Sequence, residues 1–260
     1  MRTRAGLLVL LLALHAGGAL AHGAHPEAGI AYDQHVDARL PTQLAFTDDT
    51  GRAVRLADEL GTQPVVLVLG YLGCRDLCAL TLKGVAESLA RSGLVAGRDY
   101  RALFVSIDPR DTVAELAKAR RERLAPGERA GWRFLAPQAG SLAPLASAVG
   151  FRYRYEPERD AFAHPAGFVV VKPDGTLARY FFGVRFDSDQ VRTALEDAAR
   201  GKPGTLTDRL LLFCYHFDPA TGRYTLAILH ILDGLIAISF VAAAFFAWRH
   251  VRARRRIGHP

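Results

Sequence analysis

The sequence predicts an α/β sandwich for the middle of the chain, and three observations carry that expectation. Pro64-Val-Val-Leu-Val-Leu-Gly70 is a short, unbroken, β-branched apolar run closed by glycine, which reads as a buried strand of a parallel or mixed sheet. Tyr100-Arg-Ala-Leu-Phe-Val-Ser-Ile107 is a second buried strand. Phe168–Phe182 is a hairpin around Pro173-Asp-Gly175. A segment with helical period follows each of the three.

Taken in order, Met1-Arg-Thr-Arg, a short apolar centre and the small-residue exit Ala19-Leu-Ala21 match a secretory signal peptide over residues 1–21. Residues 22–42 follow as a flexible N-terminal segment carrying His22, His25 and His35, where a solvated end is the plainer reading than weak metal binding. Leu44–Leu56 forms a hairpin by the turn chemistry of Asp48-Asp-Thr-Gly51. After the strand at 64–70, Leu77, Leu80, Leu82, Val85 and Leu89 fall near one face of a helix that runs to about Ser92. Asp108-Pro109 ends the second strand, and Asp111-Thr-Val-Ala-Glu115 opens a charged helix that stops near Pro126-Gly127. Trp132–Leu135 is a brief strand, Ser141–Val149 a short helix, and Phe151–Tyr155 alternates like a strand. Asp187–Arg200 is the last helix, stopped by Gly201 and Pro203. Strand–helix–strand, then helix and antiparallel hairpin, describes a sandwich of thioredoxin type with an N-terminal hairpin over residues 43–204.

The formal charge of +7 sits at the two ends of the chain. Arg2 and Arg4 open it, and Arg249, Arg252, Arg254, Arg255 and Arg256 close it, so residues 22–248 balance to zero. Both clusters flank apolar stretches, which points to membrane handling and away from nucleic acid. Residues 205–224 read as a juxtamembrane segment with Cys214-Tyr-His216 and a turn at Thr221-Gly222. Residues 225–248 read as a transmembrane helix, since Leu226–Trp248 is a 23-residue apolar run. The basic tail 249–260 is then cytoplasmic, and the domain faces the periplasm from a bacterial inner (plasma) membrane. His230 and Asp233 stand three apart on that helix, either as a partner contact or as cheap polar groups near the outer interface. Three cysteines are too few to build a scaffold, so the core must come from ordinary burial.

Chemistry concentrates in Gly73-Cys74-Arg-Asp-Leu-Cys78. If Cys78 is helical, Cys74 stands at the helix entrance, where backbone N–H groups and the dipole favour a thiolate. Residues four apart share a helix face, so both sulfurs can point at one spot. Such a pair can form a disulfide or grip a soft metal ion; a structural disulfide or two buried thiols is the plain alternative. Asp108-Pro109 falls at the same sheet edge, where it either tunes a pocket or makes a turn. Arg75 favours thiolates, or an acidic partner, or is simply solvated. Cys214 is either a quiet thiol near the membrane or, with His216, a second metal contact, and the quiet reading is favoured because one Cys-x-His is a weak motif.

Gly73–Cys78, Ser106-Ile-Asp-Pro109, Trp132-Arg-Phe-Leu135 and His164 before an apolar strand occur here in this order. Together they resemble the Sco/SenC family, thioredoxin-fold copper proteins that assist cytochrome c oxidase assembly, over roughly Gln43 to Arg200. The C-terminal region is similar to that of a bacterial branch anchored at its C-terminus. The resemblance implies that Cys74, Cys78 and His164 bind copper, as Cu(I), Cu(II) or both. It also implies a client such as oxidase subunit II or another copper protein. Arg75 and Ala79 stand where many members carry proline, and Ala163 where many carry aspartate. Three functions compete. The first is a membrane-tethered copper chaperone. The second is a thiol–disulfide oxidoreductase, with Cys74 and Cys78 as its redox pair, that reduces the client's cysteines. The third is a thioredoxin-fold peroxidase. The four-residue cysteine spacing and the distant histidine, which disulfide exchange does not need, favour copper.

Overall fold

The computed structural model describes residues 29–73 and 77–202, the strand pairs 217–218 and 223–224, and positions 234, 236–241, 243, 245, 248, 249 and 252. At 77, 78 and the two short strand pairs the description covers the backbone only. In chain order the first half holds β1 (Ala31–Tyr32), β2 (Ala45–Asp48), β3 (Ala53–Arg55), β4 (Val65–Gly70), α1 (Leu77–Arg91), β5 (Arg101–Ser106) and α2 (Val113–Arg123). The second half holds β6 (Trp132–Pro137), α3 (Leu142–Ala148), β7 (Phe151–Arg152), β8 (Arg154–Glu156), β9 (Ala161–Ala163), β10 (Gly167–Val171), β11 (Leu177–Phe182) and α4 (Ser188–Ala199). A seven-stranded sheet in the order β11-β10-β4-β5-β6-β2-β3 is the frame. It is mixed: β4, β5 and β6 are parallel neighbours, while β10, β11, β2 and β3 join antiparallel.

Strand periodicity explains the layers, because successive side chains leave a strand on opposite faces. Val66 and Val68 of β4 pack under Leu82, Val85 and Leu89 of α1, Leu116 of α2 and Leu195 of α4. Val65, Leu67 and Leu69 point the other way, toward Leu145 of α3 and the N-terminal residues Tyr32 and Leu40. With both faces covered, every residue of β4 is buried, which is why its sequence is apolar without alternation. At α2, Thr112 accepts the Glu115 N–H while the Glu115 carboxylate accepts the Thr112 N–H, a reciprocal cap that fixes the helix start.

Three expectations are corrected. Leu80 does not join the buried face of α1: it is 52 % exposed, because it lies two residues, about 200°, from Leu82. Phe151–Tyr155 is not one strand. It divides at Tyr153 into β7, paired with β1, and β8, paired with β9 in a hairpin of its own. Residues 31–40, expected in the flexible lead-in, are packed onto the domain instead. Tyr32 and Leu40 are buried, and the N–H groups of Asp33, Asp37 and Leu40 donate to the carbonyls of Gly150, Leu177 and Gly175 at 2.7–2.9 Å.

Gly84 marks the closest approach of α1 to the β11–α4 connection, since a Cβ there would overlap the Val184 carbonyl oxygen. Backbone cannot yield as a flexible side chain can, so Gly84→Ala is expected to destabilise the domain by about 1–3 kcal/mol. Thermal or denaturant unfolding of the variant beside the wild type checks it.

Beyond the domain, Phe217–Asp218 pairs antiparallel with Arg223–Tyr224, and the expected turn at Thr221-Gly222 lies outside the described residues. Among the described residues no helix is long and apolar enough to cross a membrane. Much of the 225–248 stretch lies outside the described residues, as do 1–28; its described positions from 234 onward are helical.

Candidate metal centre

Three connections meet at one end of the sheet. β4 and β5 run parallel with Gly70 opposite Ser106, so the segments after them, the cysteine loop and the Asp108 turn, leave side by side. β10 is antiparallel to β4, with Val169 opposite Leu67, so the start of β10 lies beside the end of β4. His164, three residues before β10, is thereby brought to the root of the cysteine loop. Binding sites in α/β sheets gather at this end.

Cys74, Arg75 and Asp76 lie outside the described residues, and so does the side chain of Cys78. The Cys78 backbone lies in the first turn of α1, as its helical reading requires. Among the described residues no group of three or more His, Cys, Asp or Glu is placed to hold a metal ion, a statement that does not reach the two sulfurs. Cys214, His216, His230 and Asp233 also lie outside the described residues.

His164 is half-buried and held on two sides. Its ring meets Tyr71 edge-on, with centroids 5.8 Å apart at 73°, and Phe151 at 5.8 Å. Tyr71 is three residues before Cys74, and its hydroxyl accepts the Phe162 N–H at 3.3 Å, which ties β9 to the same ring. Nδ1 of His164 is 2.9 Å from the Pro165 carbonyl oxygen. A carbonyl only accepts, so Nδ1 carries the proton and the lone pair of a neutral ring resides on Nε2. That is the tautomer of a metal-binding imidazole whose other nitrogen is anchored to the backbone.

The cysteine loop is gripped just before its first sulfur. The Leu72 N–H donates to Asp111 Oδ2 at 2.9 Å, and the Leu72 carbonyl accepts from Arg123 Nη2 at 3.3 Å. The Ser106 hydroxyl donates to the same Asp111 oxygen at 2.6 Å. Burial pushes the Asp111 carboxyl up from its ordinary value, against the lowering effect of these two hydrogen bonds.

Asp108 is buried, and Arg110 binds both its oxygens, with Nε 2.9 Å from Oδ1 and Nη2 2.8 Å from Oδ2. Burial alone would raise the Asp108 carboxyl, but the side-chain and backbone hydrogen bonds from Arg110 carry it below its ordinary value. The third guanidinium nitrogen of Arg110 reaches Asp160 Oδ1 at 2.6 Å, and the Tyr155 hydroxyl donates to that oxygen at 2.6 Å. The bonds from Tyr155 and Arg110 hold the Asp160 carboxyl low. Of the two roles weighed from sequence, the turn is the one observed at Asp108. Its carbonyl makes the turn with the Asp111 N–H at 3.2 Å, and its carboxylate anchors Arg110. Sequence reasoning missed Arg110, Tyr155 and Asp160 because a contact spanning fifty residues leaves no local pattern.

The SCO1/SenC family profile matches residues 33–200. The chain belongs to the SCO1/SenC family. Among solved structures, a candidate electron transfer protein from Aquifex aeolicus VF5 is 26 % identical with a TM-score of 0.58, covering 64 % of this chain and 95 % of its own. Bradyrhizobium japonicum ScoI, solved with copper bound, is 23 % identical with a TM-score of 0.51, covering 60 % and 96 %. BsSco, a member of the Sco family of cytochrome c oxidase assembly proteins in which a disulfide switch was identified, is 20 % identical with a TM-score of 0.51, covering 66 % and 99 %. No curated protein matches the chain. The mixed α/β arrangement of this SCO1/SenC domain is the thioredoxin-like fold of those structures.

Proposed function

We propose that this SCO1/SenC protein is a copper chaperone for cytochrome c oxidase assembly, holding the ion on Cys74, Cys78 and His164 and passing it to a copper-protein client such as oxidase subunit II. The observation that carries the reading is His164: its Nδ1–H is tied to the Pro165 carbonyl and its ring is seated on Tyr71, at the root of the cysteine loop. Two thiolates and one imidazole suit copper chemically, since thiolate favours Cu(I) and imidazole also accommodates Cu(II). Zinc in a structural site would want a fourth ligand. Family membership and the copper-bound ScoI structure support the same ion. Titration of the purified full-length chain is expected to load one copper per reduced molecule and none once Cys74 and Cys78 are joined by a disulfide. Equal loading of both forms would overturn the assignment.

A second reading, reduction of a client disulfide by the Cys74–Cys78 pair, is favoured by the place of Cys78 in the first turn of α1, where the helix dipole stabilises thiolate. The two roles share cysteines and differ in their need for His164.

The proposal includes a membrane tether at 225–248, with the domain in the periplasm and the basic tail in the cytoplasm. Its support is the 23-residue apolar run beside five arginines, with Ile238, Phe240 and Val241 exposed on the described helical positions. Protease added to spheroplasts is expected to digest the domain and spare a tag placed after Pro260. A protected domain with a cleaved tag would reverse the topology.

A further inference from the structure

Two consecutive side chains of the turn between β5 and α2 reach in opposite directions to the two halves of the candidate centre. Asp111 accepts the N–H of Leu72, two residues before Cys74. Arg110 reaches Asp160, at the tip of the β8–β9 hairpin whose outgoing strand leads directly to His164. Each contact is built from a fixed point. Arg110 is oriented by its two-oxygen grip on buried Asp108, and Asp111 by the Ser106 hydroxyl, both at the end of central strand β5. Asp160 holds a left-handed backbone, φ 46°, which aspartate and asparagine tolerate better than most residues.

We infer that Arg110 and Asp111 are positioning residues of the copper site, one holding the histidine hairpin and the other the cysteine loop, so that a single rigid turn sets the spacing of ligands separated by about ninety residues of sequence. The inference rests on the ligand set proposed above. Neither residue touches the ion; each acts through the loop it holds. A planar guanidinium binding two carboxylates at once is a bridge that lysine, a single-point donor, does not reproduce.

The test uses full-length protein and three variants that leave buried Asp108 paired. Asp160→Asn removes the exposed charge that Arg110 reaches while keeping a residue suited to the left-handed backbone. Asp111→Ala releases Leu72, and Asp111→Asn keeps an acceptor oxygen in its place. Copper affinity by chelator competition is expected to fall about 10–100-fold in Asp160→Asn and Asp111→Ala, with Asp111→Asn close to wild type. The Cu(II) spectrum should shift in the two weakened proteins, although their copper-free forms remain folded. Hydrogen exchange at the Phe162 amide, bonded to Tyr71, should quicken in copper-free Asp160→Asn. Wild-type affinity and spectrum in both Asp160→Asn and Asp111→Ala would overturn the inference while leaving the site standing, provided His164→Ala weakens binding in the same assay. If His164→Ala binds copper as wild type does, the ligand set and this inference fall together.

Discussion

Replacing His164 by alanine is expected to abolish tight copper binding while leaving the Cys74–Cys78 pair able to form and exchange a disulfide. The loss should exceed the ~10–100-fold typical of removing a group that only supports a ligand, because one ligand of three is gone. Disulfide exchange depends on thiolate fraction, leaving-group quality and access, none of which needs the imidazole. The same variant separates the two proposed functions in cells. As the sole copy it should fail to mature cytochrome c oxidase if the protein delivers copper. Maturation that persists with copper binding gone would replace the chaperone with the reductase.

Cys74→Ser and Cys78→Ser are expected to have still larger effects, and equal ones. A hydroxyl is a hard, protonated donor that does not stand in for thiolate toward Cu(I), so each single variant should retain no copper through gel filtration. Each also removes one partner of the disulfide, so thiol exchange with a model disulfide should stop at a mixed adduct. Cys78 lies within an otherwise well-formed helix, so the Cys78→Ser chain should keep wild-type circular dichroism. One serine variant that binds copper as wild type does would remove that sulfur from the ligand set.

The sheet was legible where burial imposed a pattern. The β-branched run at 65–70, the strand at 101–106 and the hairpin around Pro173-Asp-Gly175 all stand as read, because a strand covered on both faces tolerates little but apolar residues. Thr112 and Glu115 announced the start of α2 by their spacing. Leu80 misled because apolar identity in the first turn of a helix does not say which way it faces. Phe151–Tyr155 misled because alternation over five residues does not reveal a change of partner strand at Tyr153.

At the site, the family resemblance singled out His164 and the sequence the turn at Asp108, and the antiparallel pairing of β10 with β4 accounts for why a histidine so far along the chain stands on Tyr71, three residues before Cys74. What holds the loops in place was not legible. The bridge from Arg110 to Asp160 and the grip of Asp111 on Leu72 join side chains or backbone across 50 and 39 residues, and only the fold brings them together.

X-ray absorption at the copper edge of the loaded full-length chain tests the central claim most directly, beside the same measurement on His164→Ala. Two sulfur scatterers and one imidazole nitrogen are expected in the wild type, with the imidazole signal lost in the variant. A copper shell without imidazole in the wild type, or an imidazole signal that survives the loss of His164, would contradict the Cys74–Cys78–His164 centre.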